Sequence, residues 1–133
     1  MIRLATLALV LLAALPAKPS NSLAQMQACA GLQTQTEMND CAAREYKKHD
    51  AALNELYQRL LEKLNQRQRA LLEEAESAWI AYRDRQCAFQ TSNAGGSIRP
   101  LIQYDCLDEK TNVHTAELNR QLNCKEGDPS CVH

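Results

Sequence analysis

The stretch Trp79-Ile80-Ala81-Tyr82-Arg83-Asp84-Arg85-Gln86-Cys87 decides how this chain is interpreted. It carries the only tryptophan, an arginine next to an aspartate, and a cysteine at its end. At helical spacing Arg83 lies one turn from both Trp79 and Cys87, so the three side chains can share one face of a helix. The stretch is therefore either a reactive site or the packed, disulfide-bonded centre of a binding domain.

The beginning of the chain has the pattern of an export signal. A positive charge precedes an apolar run at residues 4–15, which is too short to span a bilayer, since a span needs about 20 residues. Cleavage fits after Ala17 or after Ala24, and small residues at both recognition positions favour the second site. We predict a signal peptide at residues 1–24 and one domain at residues 25–133, periplasmic or secreted, without a stable membrane anchor after cleavage.

Charge narrows the class of partner. Removal of residues 1–24 leaves 13 of the 15 basic residues against 16 acidic ones, a net charge of −3. Nucleic-acid binding needs clustered positive charge, so it is not expected. A basic protein partner is compatible with this charge.

All six cysteines follow the predicted signal peptide. An even number in a short exported chain indicates a disulfide framework. No Cys-x-x-Cys is present, which argues against a zinc knuckle or a redox site, and a catalytic cysteine is not expected when every cysteine can pair. The spacing favours the local pairs Cys29–Cys41, Cys87–Cys106 and Cys124–Cys131.

Three stretches carry apolar residues at helical spacing, and no strand-like alternation occurs. The first starts at the capping-box pattern Thr34-Gln35-Thr36-Glu37. A weak break at Asn65-Gln66-Arg67 precedes a second helix over about residues 67–91. Ser97 is predicted to cap the third helix, which Gly127-Asp128-Pro129 ends. The predicted fold is all-α, a disulfide-stapled antiparallel three-helix bundle with an N-terminal arm and a short C-terminal loop.

The same spacing predicts which residues face the core. The first helix is expected to turn a stripe of leucines inward, together with His49, and the third to turn Thr111 and His114 inward. In the second helix, Glu73, Glu74 and Glu76 are expected on the outer face. Its predicted inner stripe is Leu71, Leu72, Ala75, Ala78, Trp79, Tyr82 and Phe89.

Polar residues near the aromatic stretch are interpreted as structural. Arg83, Asp84, Thr111 and His114 are predicted to form a polar network that fixes helix register, and the alternative is an acid or anion site. Asp108-Glu109 is interpreted as a solvated helix face. No metal-binding histidine pair and no phosphate-binding loop are found, so neither a metal nor a cofactor is expected.

The turn between the second and third helices is the candidate binding element. It is small and polar, and a Cys87–Cys106 bond would hold its base, which lowers the ordering entropy lost on binding. The alternative is a plain helix connection. The candidate binding residues are Ser92, Asn93, Gly95, Gly96, Ser97 and Arg99.

Several motifs in combination resemble the LprI-type lysozyme-inhibitor domain. They include Asn39-Asp40-Cys41, the Trp79-to-Cys87 stretch, Gly95-Gly96-Ser97, and Cys106 followed by Thr111. The resemblance covers nearly all of the chain after the signal peptide. Two departures are His114, where an arginine is expected, and the lack of a lipobox.

The resemblance implies an exported binding protein, not an enzyme, that inhibits lysozyme. For such a protein we expect the turn at residues 92–99 to block the sugar cleft, with Arg99 engaging the catalytic carboxylates. The alternative is a periplasmic structural or stress-related interaction module that does not bind lysozyme.

Overall fold

A computed structural model describes Cys29, residues 31–125 and residues 127–133. The predicted signal peptide and most of the predicted N-terminal arm lie outside these residues. Within the described part, no helix is long and apolar enough to cross a membrane.

Three long helices form the described structure. They are α1 (Gln35–Lys63), α2 (Gln66–Gln90) and α3 (Arg99–Leu122), and a 3-10 turn (Gly96–Ile98) precedes α3. The short connections make consecutive helices antiparallel. The predicted all-α three-helix bundle is therefore confirmed.

The first two helices start in the same way. Thr34 Oγ1 accepts a hydrogen bond from the Glu37 backbone N–H at 3.2 Å, and the Glu37 carboxylate accepts one from the Thr34 N–H at 2.9 Å. Asn65 and Gln68 repeat this reciprocal pair at the start of α2. The capping box at Thr34 is confirmed, and the weak break at Asn65 is in fact a second, complete capping box.

Both predicted ends of the third helix are wrong. Ser97 does not cap α3, because it lies inside the 3-10 turn, and Ile98 at the cap position makes no side-chain capping bond. The helix ends at Leu122, well before Gly127, and the Asn123 side chain donates to the Asn119 carbonyl at 3.0 Å. The chain then enters the C-terminal loop, which a disulfide closes.

The apolar core lies mainly between α1 and α3, the pair of helices in closest contact. Each buried leucine is worth about 1.5–3 kcal/mol in transfer free energy. This leucine cluster consists of Leu53, Leu56, Leu60, Leu64, Leu118 and Leu122. A smaller cluster of Cys29, Ala42 and Leu101 lies at the opposite end of α1.

The predicted orientation of α2 is wrong for most of its stripe. Leu72 and Trp79 pack against the leucine cluster, but Tyr82 is 57% exposed and Phe89 is 73% exposed. Ala75 and Ala78 are also exposed. The buried residues of this helix are instead Glu76, Arg83 and Cys87. Hydrophobic periodicity failed here because two charged side chains have partners on the other helices.

All three predicted disulfides are confirmed. Cys87–Cys106 ties the end of α2 to α3, and closing a loop of this length contributes about 3 kcal/mol in the chain-entropy model. The other two fasten the chain ends, since one joins Cys29 to the first turns of α1 and the other closes the C-terminal loop.

Candidate functional site

The connection between α2 and α3 is exposed, and both of its ends are fixed. All residues from 92 to 99 are exposed except the half-buried Ala94. At one end, fully buried Thr91 donates its hydroxyl to the Cys87 carbonyl at 2.8 Å and contacts Gln103 Oε1 at 2.6 Å. This end therefore cannot move without breaking buried hydrogen bonds.

The other end of the connection is held by α1. The Asn39 side-chain amide donates to the Ser97 carbonyl at 2.9 Å, and Gly96 adopts a φ of 68°, a left-handed conformation that glycine tolerates best. Arg99 is exposed and takes part in no ion pair among the described residues. The structure thus presents an anchored loop with an available guanidinium group beside it.

Arg83, about two helical turns before the end of α2, is the centre of a polar cluster. Its Nε donates to Asp84 Oδ1 at 2.9 Å, and its Nη1 donates to Asp50 Oδ1 at 3.0 Å. The guanidinium carbon lies 5.5 Å from the ring centroid of Tyr46 and 5.1 Å from that of Trp79. Arg83 therefore joins α2 to α1 through both an ion pair and aromatic stacking.

Burial alone would lower the pKa of Arg83, but the hydrogen bond to Asp84 and the neighbouring acids more than offset it, so the pKa is raised. The guanidinium stays charged, as the ion pairs require. Asp50 is not among the predicted site residues, although it bonds Arg83 and lies one helical turn after Tyr46 on α1. The one-turn spacing of an aromatic residue and an acid on the first helix is the signal that could have found it.

His114 forms a second polar cluster, separate from Arg83's hydrogen bonds. Its Nε2 lies 2.7 Å from Glu76 Oε2, its Nδ1 lies 3.2 Å from Glu117 Oε2, and its ring stacks on Trp79 with centroids 4.0 Å apart. Burial alone would lower the pKa of His114, but the two carboxylates outweigh it and raise the pKa above 6.5. Glu76, expected on the outer face, is 8% exposed, because it forms this pair.

A third polar cluster joins α1 to α3. His49 Nδ1 lies 2.6 Å from Asp108 Oδ1, and the Asn112 amide donates to Asp108 Oδ2 at 2.9 Å. The prediction of Asp108 as a solvated residue is wrong, since it is 2% exposed. Half-buried Asp105 lies near it, and burial together with the Asp108 charge raises the pKa of Asp105 to about 6.

Thr111 does not connect the predicted network. It is fully buried, and its hydroxyl has no hydrogen-bond partner among the described residues. The four predicted network residues are therefore divided, with Arg83 bonded to Asp84, His114 bonded to glutamates, and Thr111 apart. Trp79 is the shared neighbour, because it contacts both Arg83 and His114.

These clusters join the helices to one another. No group of three histidine, cysteine or acidic side chains in the described part of the chain is placed to hold an ion. Every cysteine is in a disulfide. The fold and its polar clusters define a small disulfide-stapled helical domain with an exposed, anchored loop.

Comparison with known proteins places this domain in a family. The sequence model of the family described as lysozyme inhibitor LprI matches residues 17–118, so the chain belongs to the LprI lysozyme-inhibitor family. Three disulfides and membership of this family are typical of an exported protein.

One relative of known sequence adds little about function. An uncharacterised protein of Rhizobium meliloti (strain 1021) is 32% identical over 122 residues, which cover 81% of this chain and 88% of the relative. No solved structure matches the chain.

Proposed function

We propose that this protein is a periplasmic or secreted inhibitor of lysozyme and that the loop at residues 92–99 blocks the lysozyme cleft. The observation that carries the proposal is the combination of an exposed loop with two fixed ends. Cys87–Cys106 and Thr91 hold one end, and Asn39 holds the other. A loop ordered before binding loses less conformational entropy when it enters a cleft.

Arg99 supplies the charge that this mechanism needs. Lysozyme cleaves its substrate with a pair of carboxyl groups that flank the scissile bond. A guanidinium group can bind a carboxylate through two parallel hydrogen bonds. Because Arg99 is exposed and forms no ion pair among the described residues, it gives up no internal ion pair when it engages such a group.

The overall charge supports encounter with a basic enzyme. The chain without residues 1–24 carries a net charge of −3, which speeds association with a basic protein more than it strengthens the final complex. In this proposal the loop at residues 92–99 provides the affinity for lysozyme and fixes the orientation of the complex. The net charge of the whole surface sets the rate at which the two proteins associate.

The test is inhibition of c-type lysozyme by purified protein, with Arg99→Gln as the first variant. A hydrogen bond to a charged group is worth about 1.5–3 kcal/mol, so the concentration for half-inhibition should rise about tenfold or more. Arg120→Gln is the matched control, because Arg120 is also exposed and lies at the far end of α3, about 30 Å away.

A second variant tests the loop as a whole. Replacing residues 92–96 by an unrelated linker of equal length should abolish inhibition and leave the helical circular dichroism unchanged. Equal inhibition by all variants would rule out the loop as the binding element. Absence of inhibition by the unaltered protein would favour the alternative, an interaction module with another partner.

A further inference from the structure

The outer face of α2 carries a regular, exposed seam of side chains that are apolar at all positions but one. Its residues are spaced by alternating steps of four and three, the a/d pattern of a coiled coil. All are exposed, Leu71 by 58%, Tyr82 by 57% and Phe89 by 73%. The seam consists of Leu71, Ala75, Ala78, Tyr82, Arg85 and Phe89.

This seam is not the face that holds α2 in the bundle. The inward residues are Glu76, Arg83 and Cys87, and they are satisfied by an ion pair, by hydrogen bonds and by a disulfide. An apolar row is therefore left over after the helix has been fixed. An exposed row of this kind, apolar at five of its six positions, is typical of an interaction surface.

We propose that the seam of α2 binds the seam of a second copy of this chain, with the two helices antiparallel. The seam is complementary to itself in this orientation. When Ala78 faces Tyr82 of the partner copy, every a position faces a d position, as antiparallel packing of heptads requires. The same register puts Leu71 opposite Phe89 and Ala75 opposite Arg85, so each large side chain meets a smaller one.

Charge complementarity supports the same register. Arg85 is the one charged residue on the seam, and Glu74, which precedes Ala75, borders it. In the antiparallel register Arg85 of each copy lies beside Glu74 of the other. Neither residue forms an ion pair among the described residues of its own chain, so both are available.

The neighbouring helix extends the surface. A groove of about 380 Å³ lies between α2 and α3, and its lining includes Tyr82, Val113 and Lys110. Val113 is 58% exposed, and Lys110 Nζ lies 5.5 Å from the Tyr82 ring centroid. In the proposed dimer a two-fold axis passes through the seam, so both copies use the same surface. Because no second copy of that surface stays free, the assembly stops at two chains.

The experiment measures the mass of the purified protein by sedimentation equilibrium from about 1 to 200 µM, a range that spans micromolar affinities. We expect a monomer–dimer equilibrium for the unaltered protein. Ala78→Arg should raise the dimer dissociation constant at least about tenfold, because it places an unpaired charge at the centre of the seam. Ser77→Arg is the matched control, since Ser77 is exposed, adjacent and off the seam, and it should dimerise normally.

A charge exchange tests the register. Arg85→Glu and Glu74→Arg should each weaken the dimer, and the double variant should recover most of the loss. A monomer over the whole concentration range would overturn the proposal, and so would equal dimerisation of the Ala78→Arg and Ser77→Arg variants. Circular dichroism and lysozyme inhibition of each variant complete the test. Loss of inhibition by Ala78→Arg, without any change in mass, would assign the seam to lysozyme and would also overturn the proposal.

Discussion

The leucine cluster and the inner face of α2 hold the same bundle by different physical means. Between α1 and α3, leucines such as Leu60 are removed from water, and their contribution depends on area and packing. Along α2, buried Glu76 and Arg83 are held by partners on the other two helices. Apolar contacts do not depend on pH and do not require a particular relative orientation of the side chains. The ion pairs of α2 require a charged partner at a defined position.

The largest expected effect is in the leucine cluster. Leu60 is 1% exposed, so Leu60→Ala should lower the free energy of unfolding by about 3 kcal/mol through lost burial and the cavity left behind. The loss should be the same at pH 5 and pH 8 when measured by chemical denaturation. A loss below about 1 kcal/mol would show that the main stabilising contacts lie outside the leucine cluster.

The next effect tests the inner face of α2. Arg83→Ala removes hydrogen bonds to two carboxylates and the stacking on Tyr46 and Trp79, so it should cost about 2 kcal/mol. Arg83→Lys keeps the charge but not the planar fork of donors. It should therefore restore less than half of the stability that Arg83→Ala loses. Equal stability of the lysine variant and the unaltered protein would show that charge alone suffices.

A smaller effect is expected from Asp105. Its pKa of about 6 lies above the ordinary 3.8, so the folded state favours the protonated acid. The resulting destabilisation is absent below pH 4 and grows to its full size above about pH 6. Asp105→Asn should therefore stabilise the protein at pH 8 by on the order of 1–2 kcal/mol and have little effect at pH 4. An equal effect at both pH values would contradict this origin.

His114 should show the same direction of pH dependence over a higher range. Its raised pKa means that the charged imidazolium stabilises the folded state below about pH 6.5, and that this contribution is lost as pH rises through the folded pKa. His114→Gln should thus cost more at pH 5 than at pH 8. Urea denaturation at the two pH values measures the difference, and Glu117→Gln should give a weaker version of it.

The smallest effect belongs to the outer face of α2. Phe89 is 73% exposed, so Phe89→Ser should change the stability of the monomer by less than about 0.5 kcal/mol. The measurement is thermal unfolding at a concentration below the dimer range. A loss comparable to that of Leu60→Ala would mean that α2 is oriented as its hydrophobic pattern predicts.

Local chemistry explains which features could be predicted from the sequence. Thr34 and Glu37 are three residues apart, and the side chain of each bonds the backbone N–H of the other. The start of α1 can therefore be predicted from these two residues alone. The cysteine pairs join residues separated by 7 to 19 positions, and simple spacing identifies them. The leucines of α1 face one direction because a helix of that period can bury only one stripe.

Partners distant in the sequence explain the errors. The local pattern predicts a solvated Asp108, yet it meets His49 across the bundle, 59 residues away. The pattern also predicts Ser97 as a helix cap, yet its carbonyl is bonded to Asn39, and the chain there forms a 3-10 turn. Neither relation leaves a signal in the local pattern.

Local patterns in the sequence are enough to predict the existence of the three helices, their antiparallel order, the disulfide pairs and the exposed turn between α2 and α3. The rotation of α2 about its axis depends on contacts that form only in the folded bundle. Hydrophobic pattern favours burying Tyr82 and Phe89, but Glu76 and Arg83 find charged partners 38 and 33 residues away. A buried charge that is paired and hydrogen-bonded can replace apolar burial, and the choice between the two faces depends on what the other helices present.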